Sequence, residues 1–190
     1  MTAKVALLIG SLRNGSFSRA VGRAIGELGA PGLELQESAI GDLPLYNPDL
    51  DGEAPPASWL RLRGEISKAD AVLFVTPEYN RSVPAALKNA LDVGSRPYGR
   101  SVWDGKPAAV VSISQGLLGG FGANHHLRQS FVFLNMPVLQ QPEVYLSNVG
   151  TLFDESDKLA NDNTRTFLGT FAGAFADWIA RTKTVPAKTD

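Results

Sequence analysis

Three apolar runs in the chain do not alternate with polar residues: VALLI at 5–9, AVLFV at 71–75 and AAVVSI at 108–113. A strand that is apolar on both faces is buried on both faces, which is the habit of a parallel sheet covered by helices. Weaker strand patterns fall at 33–38 (LELQES) and 138–146 (VLQQPEVYL).

Between these runs the apolar spacing turns helical. Val21, Ala24, Ile25 and Leu28 recur at i, i+3, i+4 and i+7, and Trp59, Leu62, Ile66 and Ala69 follow a looser version of the same rule. Leu87, Ala90 and Leu91 come after Pro84, a residue favoured in a first helical turn. Leu127, Phe131 and Leu134 mark a fourth helix. The last is the clearest, with Phe167, Phe171, Ala174, Phe175 and Trp178 on one face. Such an aromatic stripe reads as core ahead of a stacking platform for a ring ligand. The tail TKTVPAKTD at 182–190 reads as frayed.

Strands and helices thus alternate from end to end, which predicts a doubly wound α/β sandwich in a single domain over 1–190. Ligands of such folds bind outside the carboxyl ends of the strands, where the strand order reverses. The loops to search are therefore Gly10–Ser18, Thr76–Pro84 and Ser114–Gly122.

Composition narrows the chemistry. With 190 residues, 19% of them charged and a net charge of −1, the chain advertises neither a nucleic-acid groove nor a membrane surface. It has no cysteine, so redox chemistry must come from a cofactor. The apolar run at 5–9 is too short for a signal-peptide core, and no segment approaches a transmembrane span, so the expected location is the cytoplasm.

The first loop, GSLRNGSFS, leaves a strand at Gly10 and opens a helix near Ser18. Free N–H groups at a helix start, together with its dipole, make an anion site. Ser11, Ser16 and Ser18 add hydroxyls, and Arg13 adds a charge able to grip a phosphate with two hydrogen bonds. The P-loop lysine is absent after Gly15, and the G-x-G-x-x-G dinucleotide pattern is not met. A terminal monophosphate suits the loop best. The plainer reading is a serine turn that merely caps the helix.

In the second loop, TPEYNRSVP, Tyr79 offers a flat ring for a planar ligand, with Glu78 and Asn80 as polar readers; the plain alternative is a shaped turn. The third, SQGLLGGFG, has four glycines in nine residues, which lets backbone N–H groups approach a ligand, or serves only as a flexible connector. His125 and His126 are adjacent and point about 100° apart on a helix, so they do not chelate one metal. Asp42, Asp49, Asp51 and Glu53 read as a solvated acidic loop. No acid/base pair is visible.

Together, GSLRNGSFSR at 10–19, LPLYNPD at 43–49, TPEYNRSVPAALKNALD at 76–92 and SQGLLGGFGANHHLR at 114–128 resemble the NADPH-dependent FMN reductase family. That flavodoxin-like group includes bacterial quinone, chromate and azo-dye reductases, and the resemblance is nearest to the soluble quinone and chromate reductases. It implies a three-layer sandwich with five parallel strands ordered 2-1-3-4-5, helices on both faces, and FMN at the carboxyl ends. It implies that Ser11, Arg13, Ser16, Phe17 and Ser18 hold the FMN phosphate, that Pro77, Glu78, Tyr79 and Asn80 line the isoalloxazine, and that Ser114 and Gly116 meet the ring. It implies a homodimer or homotetramer, with Tyr46 and the 43–53 loop facing a neighbouring subunit.

The chain departs from the family pattern at Arg81, where an aromatic or similar contact residue is expected, at Ala85 and Ala86, where glycine is frequent, and at Val93, where close relatives have tryptophan. Arg81 or Arg100 offers charge to the 2′-phosphate of NADPH, and the expected donor is NADPH or NADH. The expected activity is hydride transfer from NAD(P)H to bound FMN and then to a small-molecule acceptor such as a quinone, chromate, an azo dye or free flavin. The alternatives are a flavodoxin-like electron carrier, against which the near-neutral charge argues, and a non-catalytic flavin-binding module.

Overall fold

In the computed structural model, which describes residues 2–29 and 32–182, five strands form one parallel sheet. They are β1 (Ala3–Ile9), β2 (Leu33–Glu37), β3 (Ala71–Pro77), β4 (Ala108–Ile113) and β5 (Val144–Leu146). The order is β2-β1-β3-β4-β5, with Leu7 opposite Leu73 and Val75 opposite Val111 in the register. This is the 2-1-3-4-5 flavodoxin-like order, and its reversal falls between β1 and β3. The frayed tail expected at 182–190 lies beyond the described residues from 183 onward.

Five helices cover the sheet: α1 (Phe17–Glu27), α2 (Ala57–Lys68), α3 (Ala85–Gly94), α4 (Phe121–Phe133) and α5 (Asp162–Thr182). Alternate residues of the same strand feed two cores. Leu7, Ile9, Leu73, Val75 and Val111 pack with Val21 and Ile25 of α1 and with Phe171 and Phe175 of α5. Leu8, Phe74 and Val110 pack on the other face with Trp59 and Leu62 of α2, Leu87 of α3 and Phe131 of α4. The non-alternating runs of β1, β3 and β4 have this cause, since both faces are dry. The aromatic stripe of α5 is core: Phe171 and Phe175 are buried, and Phe167 and Trp178 pack beside them.

Two readings change. The strand expected over 138–146 is reduced to Val144–Leu146. Val138 makes only an isolated bridge to Ala108, and Pro142, with no N–H to donate, interrupts the segment. The 43–53 loop is not simply a solvated acidic turn, because both Asp51 oxygens bind the Arg63 guanidinium at 2.7 Å. The Arg63 and Asp51 side chains are only 10% and 4% exposed. Val93 is fully buried and its carbonyl accepts from Arg63 Nε, so it is a core position.

Candidate flavin site at the carboxyl ends of β1, β3 and β4

All three searched loops leave the same edge of the sheet. β1 exits at Gly10, where an added Cβ would lie 2.7 Å from Thr76 Oγ1. Only glycine lets the first loop turn this close to the end of β3. Between the loops lies a cleft of about 170 Å³. Ser11, Arg13, Ser16, Phe17 and Ser18 form one wall, Pro77, Glu78 and Tyr79 a second, and Ile113, Ser114, Gln115 and Val149 the remainder.

The first wall is the start of a helix. Ser16 is the N-cap of α1, its hydroxyl accepting from the Arg19 amide at 3.3 Å. The first backbone bond of the helix runs from Ala20 N to Ser16 O, so the amides of Phe17 and Ser18 precede the intrahelical ladder. The capping reading is therefore correct for Ser16 and incomplete for its neighbours. Ser18 is 1% exposed, and its Oγ is the one buried side-chain polar atom without a hydrogen-bond partner among the described residues. Arg13 is exposed and makes no ion pair among the described residues. An unsatisfied buried hydroxyl costs about 1–3 kcal/mol, so a fold that keeps one holds it for a ligand or a water. A serine donor, a helix start and a free guanidinium fit a phosphate monoester.

The second wall is a tight turn. Tyr79 and Ser82 exchange backbone bonds of 3.0 and 2.9 Å, and Asn80 and Arg81 both have left-handed φ, 48° and 64°. Tyr79 stands at the mouth with its ring half exposed. Asn80 and Arg81 form the tip of the turn and are not part of the cleft wall, and Arg81 reaches toward solvent while contacting Glu78 at 3.4 Å.

In the third loop, Ser114 lies on the wall, its hydroxyl donating to the Gly116 carbonyl at 2.9 Å, while Gly116 itself lies off the wall. Gly119 and Gly120 have positive φ, and a Cβ on Gly119 would lie 2.7 Å from the Tyr145 backbone. The glycines thus serve close packing as well as access. Burial pushes the Tyr145 phenol up to about 12, helped by Glu143, so it stays neutral and bonds His125 Nε2 at 3.0 Å. His126 is separately engaged with Ser82.

Sequence reading missed Ile113, Gln115 and Val149. The first two adjoin Ser114 and were within reach, whereas Val149 arrives from a 3-10 turn after β5 that had no local signal. A larger groove of about 730 Å³ between β2 and α2 is lined by charged residues such as Lys4, Glu34 and Lys68, and shares no residue with the three loops. No helix among the described residues is long and apolar enough to cross a membrane.

Comparison with known proteins places this geometry in context. The family model described as NADPH-dependent FMN reductase matches residues 3–151. A quinone reductase of Pseudomonas putida is 59% identical over 181 residues, covering 95% of this chain and 97% of that protein. A 2-hydroxy-1,4-benzoquinone reductase of a Burkholderia species is 39% identical over 179 residues, covering 94% and 97%. Among solved structures, the flavoenzyme NAD(P)H:(acceptor) oxidoreductase FerB of Paracoccus denitrificans superposes with a TM-score of 0.89 at 39% identity, covering 95% of this chain and 99% of that one.

Proposed function

This chain belongs to the NADPH-dependent FMN reductase family, and from that premise we propose which residues carry its cofactor and which acceptors it reduces. The protein is an FMN-dependent oxidoreductase with NAD(P)H as electron donor. The chemistry that bound FMN supplies is hydride acceptance from NAD(P)H followed by electron delivery to an acceptor.

The chain's own residues bind, orient and shield. Ser11, Arg13, Ser16 and Ser18 hold the phosphate, with Phe17 beside them. The observation that carries this assignment is the buried, unpartnered Ser18 Oγ in the same cleft wall as Arg13. Pro77, Glu78 and Tyr79 border the isoalloxazine and Ser114 meets it from the third loop, while Asn80, Arg81 and Gly116 stand off the cleft wall. Holding the flavin in one pose converts each transfer into a positioned encounter, which explains why no acid/base pair is needed. Arg81, 75% exposed at the tip of its turn, is placed to draw the 2′-phosphate of NADPH.

Quinones are the proposed acceptor class, supported by relatives of 59% and 39% identity named for quinone reduction. The proposed location is the cytoplasm and the proposed assembly a homodimer or homotetramer, the assembly supported by the exposed Leu45 and Leu50 in the loop around Tyr46. Anaerobic addition of NADPH to the purified yellow protein tests the reductase reading: the flavin bleaches and benzoquinone restores the colour. A flavin that stays yellow for minutes overturns it in favour of an electron carrier, and FMN binding without NAD(P)H consumption on benzoquinone, chromate or an azo dye favours a binding module. Light scattering reads the oligomer.

A further inference from the structure

The Asn80–Arg81 turn has a feature that its sequence alone does not support. Asparagine tolerates left-handed φ, but arginine at 64° is strained, and such strain persists only where the surroundings over-determine it. The surroundings are the first turns of α4. That helix begins at Gly120 with no capping side chain of its own. Glu78 supplies the cap from another loop: its Oε2 accepts from the Ala123 amide at 3.2 Å, across 45 residues of sequence. A carboxylate at the positive end of a helix is favoured by the dipole as well as by the bond.

Two further contacts lie on the same face of α4. Gly122 meets the turn so closely that an added Cβ would be 2.7 Å from Arg81 O and 2.9 Å from Glu78 Oε2. One turn later, His126 Nδ1 lies 2.9 Å from Ser82 Oγ. Positions 122, 123 and 126 share a helix face, so α4 touches both ends and the tip of the 78–82 segment.

We propose that Glu78 and Gly122 are positioning residues: the start of α4 clamps the Asn80–Arg81 turn and thereby holds Tyr79 at the mouth of the flavin cleft. The Glu78 side chain then acts through the turn. The clamp itself is a property of the apo fold, whereas its consequence for FMN rests on the reading of the cleft given above.

Amide hydrogen exchange of the FMN-free protein and FMN titration of wild type, Glu78→Ala, Glu78→Gln and Gly122→Ala test this. Glu78→Ala and Gly122→Ala exchange faster at Tyr79 and Ser82, bind FMN about tenfold more weakly, the scale of one lost charge-assisted bond, and change the visible circular dichroism of bound FMN. Glu78→Gln keeps an acceptor for Ala123 N and restores affinity to within about threefold of wild type. Wild-type exchange and an unchanged flavin spectrum in the alanine variants overturn the clamp. If Glu78→Ala does not fold, Gly122→Ala decides by the same two readouts. A wild-type protein that fails to bind FMN overturns the cofactor reading, while exchange measured without FMN still decides the clamp.

Discussion

Arg63 and Asp51 face each other across α2 and the loop before it, joined by two parallel bonds of 2.7 Å. Arg63 Nε also donates to Val93 O at 3.0 Å, and its guanidinium lies 5.7 Å from the centre of the Trp59 ring. The pair ties the 43–53 loop to α2 and α3, beside Asn89, whose Oδ1 accepts from Tyr46 N and whose amide donates to Leu43 O and Pro44 O. Planar, bidentate and shielded, it differs from the exposed pairs of this surface, such as Lys88–Asp92, which are worth little.

Removing one partner leaves the other charge shielded from water and alone. Asp51→Ala is expected to cost about 3–5 kcal/mol in urea unfolding. The pair also sets an acid dependence. Hydrogen bonding to Arg63 holds the Asp51 carboxyl below its ordinary value, against the opposing effect of burial. The folded protein therefore keeps Asp51 ionised where the unfolded chain takes up a proton. The contribution is complete above about pH 4–5 and drains as pH falls through the folded value. Urea midpoints measured from pH 7 to pH 3 should fall less steeply for Asp51→Asn than for wild type; equal slopes would remove Asp51 from the acid transition.

Ser18 gives an opposite pattern, because its hydroxyl has no partner in the protein. Ser18→Ala is expected to leave apo stability unchanged or raised by up to about 1 kcal/mol, while FMN affinity falls about tenfold. Arg13→Ala should lower affinity by about 1–3 kcal/mol without touching the fold, since Arg13 is exposed. Thermal unfolding without FMN and fluorescence titration with it separate the two effects. Full FMN retention in both variants would move the phosphate elsewhere.

Gly94 is a packing position. A Cβ there would stand 2.5 Å from three atoms of the Trp103 indole, which is fully buried and donates to Leu91 O at 2.9 Å. The ring is rigid and anchored, so it cannot yield cheaply. Gly94→Ala should destabilise by about 1–3 kcal/mol, with near-ultraviolet circular dichroism reporting the displaced tryptophan. A wild-type melting point would show that α3 shifts without cost.

Legibility in the sequence followed the range of the interaction. β1, β3 and β4 were readable because burial on both faces writes a continuous apolar run. α5 was readable because one buried stripe writes a period of 3.6. The helix start with its serine cap was readable too, since the cap and its flanking serines are neighbours in the chain. β5 was overextended, because Val138 and Leu139 are apolar for packing while Pro142 denies the ladder a donor. Asp51 looked like any loop carboxylate until Arg63, twelve residues on, was folded against it. Val149 entered the cleft wall from a turn whose sequence carries no chemistry of its own.

By itself the sequence determined the layered α/β fold, the three loops at the strand ends and the exclusion of thiol chemistry, because periodicity, glycines and the lack of cysteine are local facts. Only the tertiary structure decided that Ser18 keeps a hydroxyl without a partner, that Asp51 is gripped by Arg63, and that Glu78 caps a helix 45 residues away. Those are relations between surfaces brought together by the packing of helices on the sheet, and no pattern within a single segment encodes the distance between two of them.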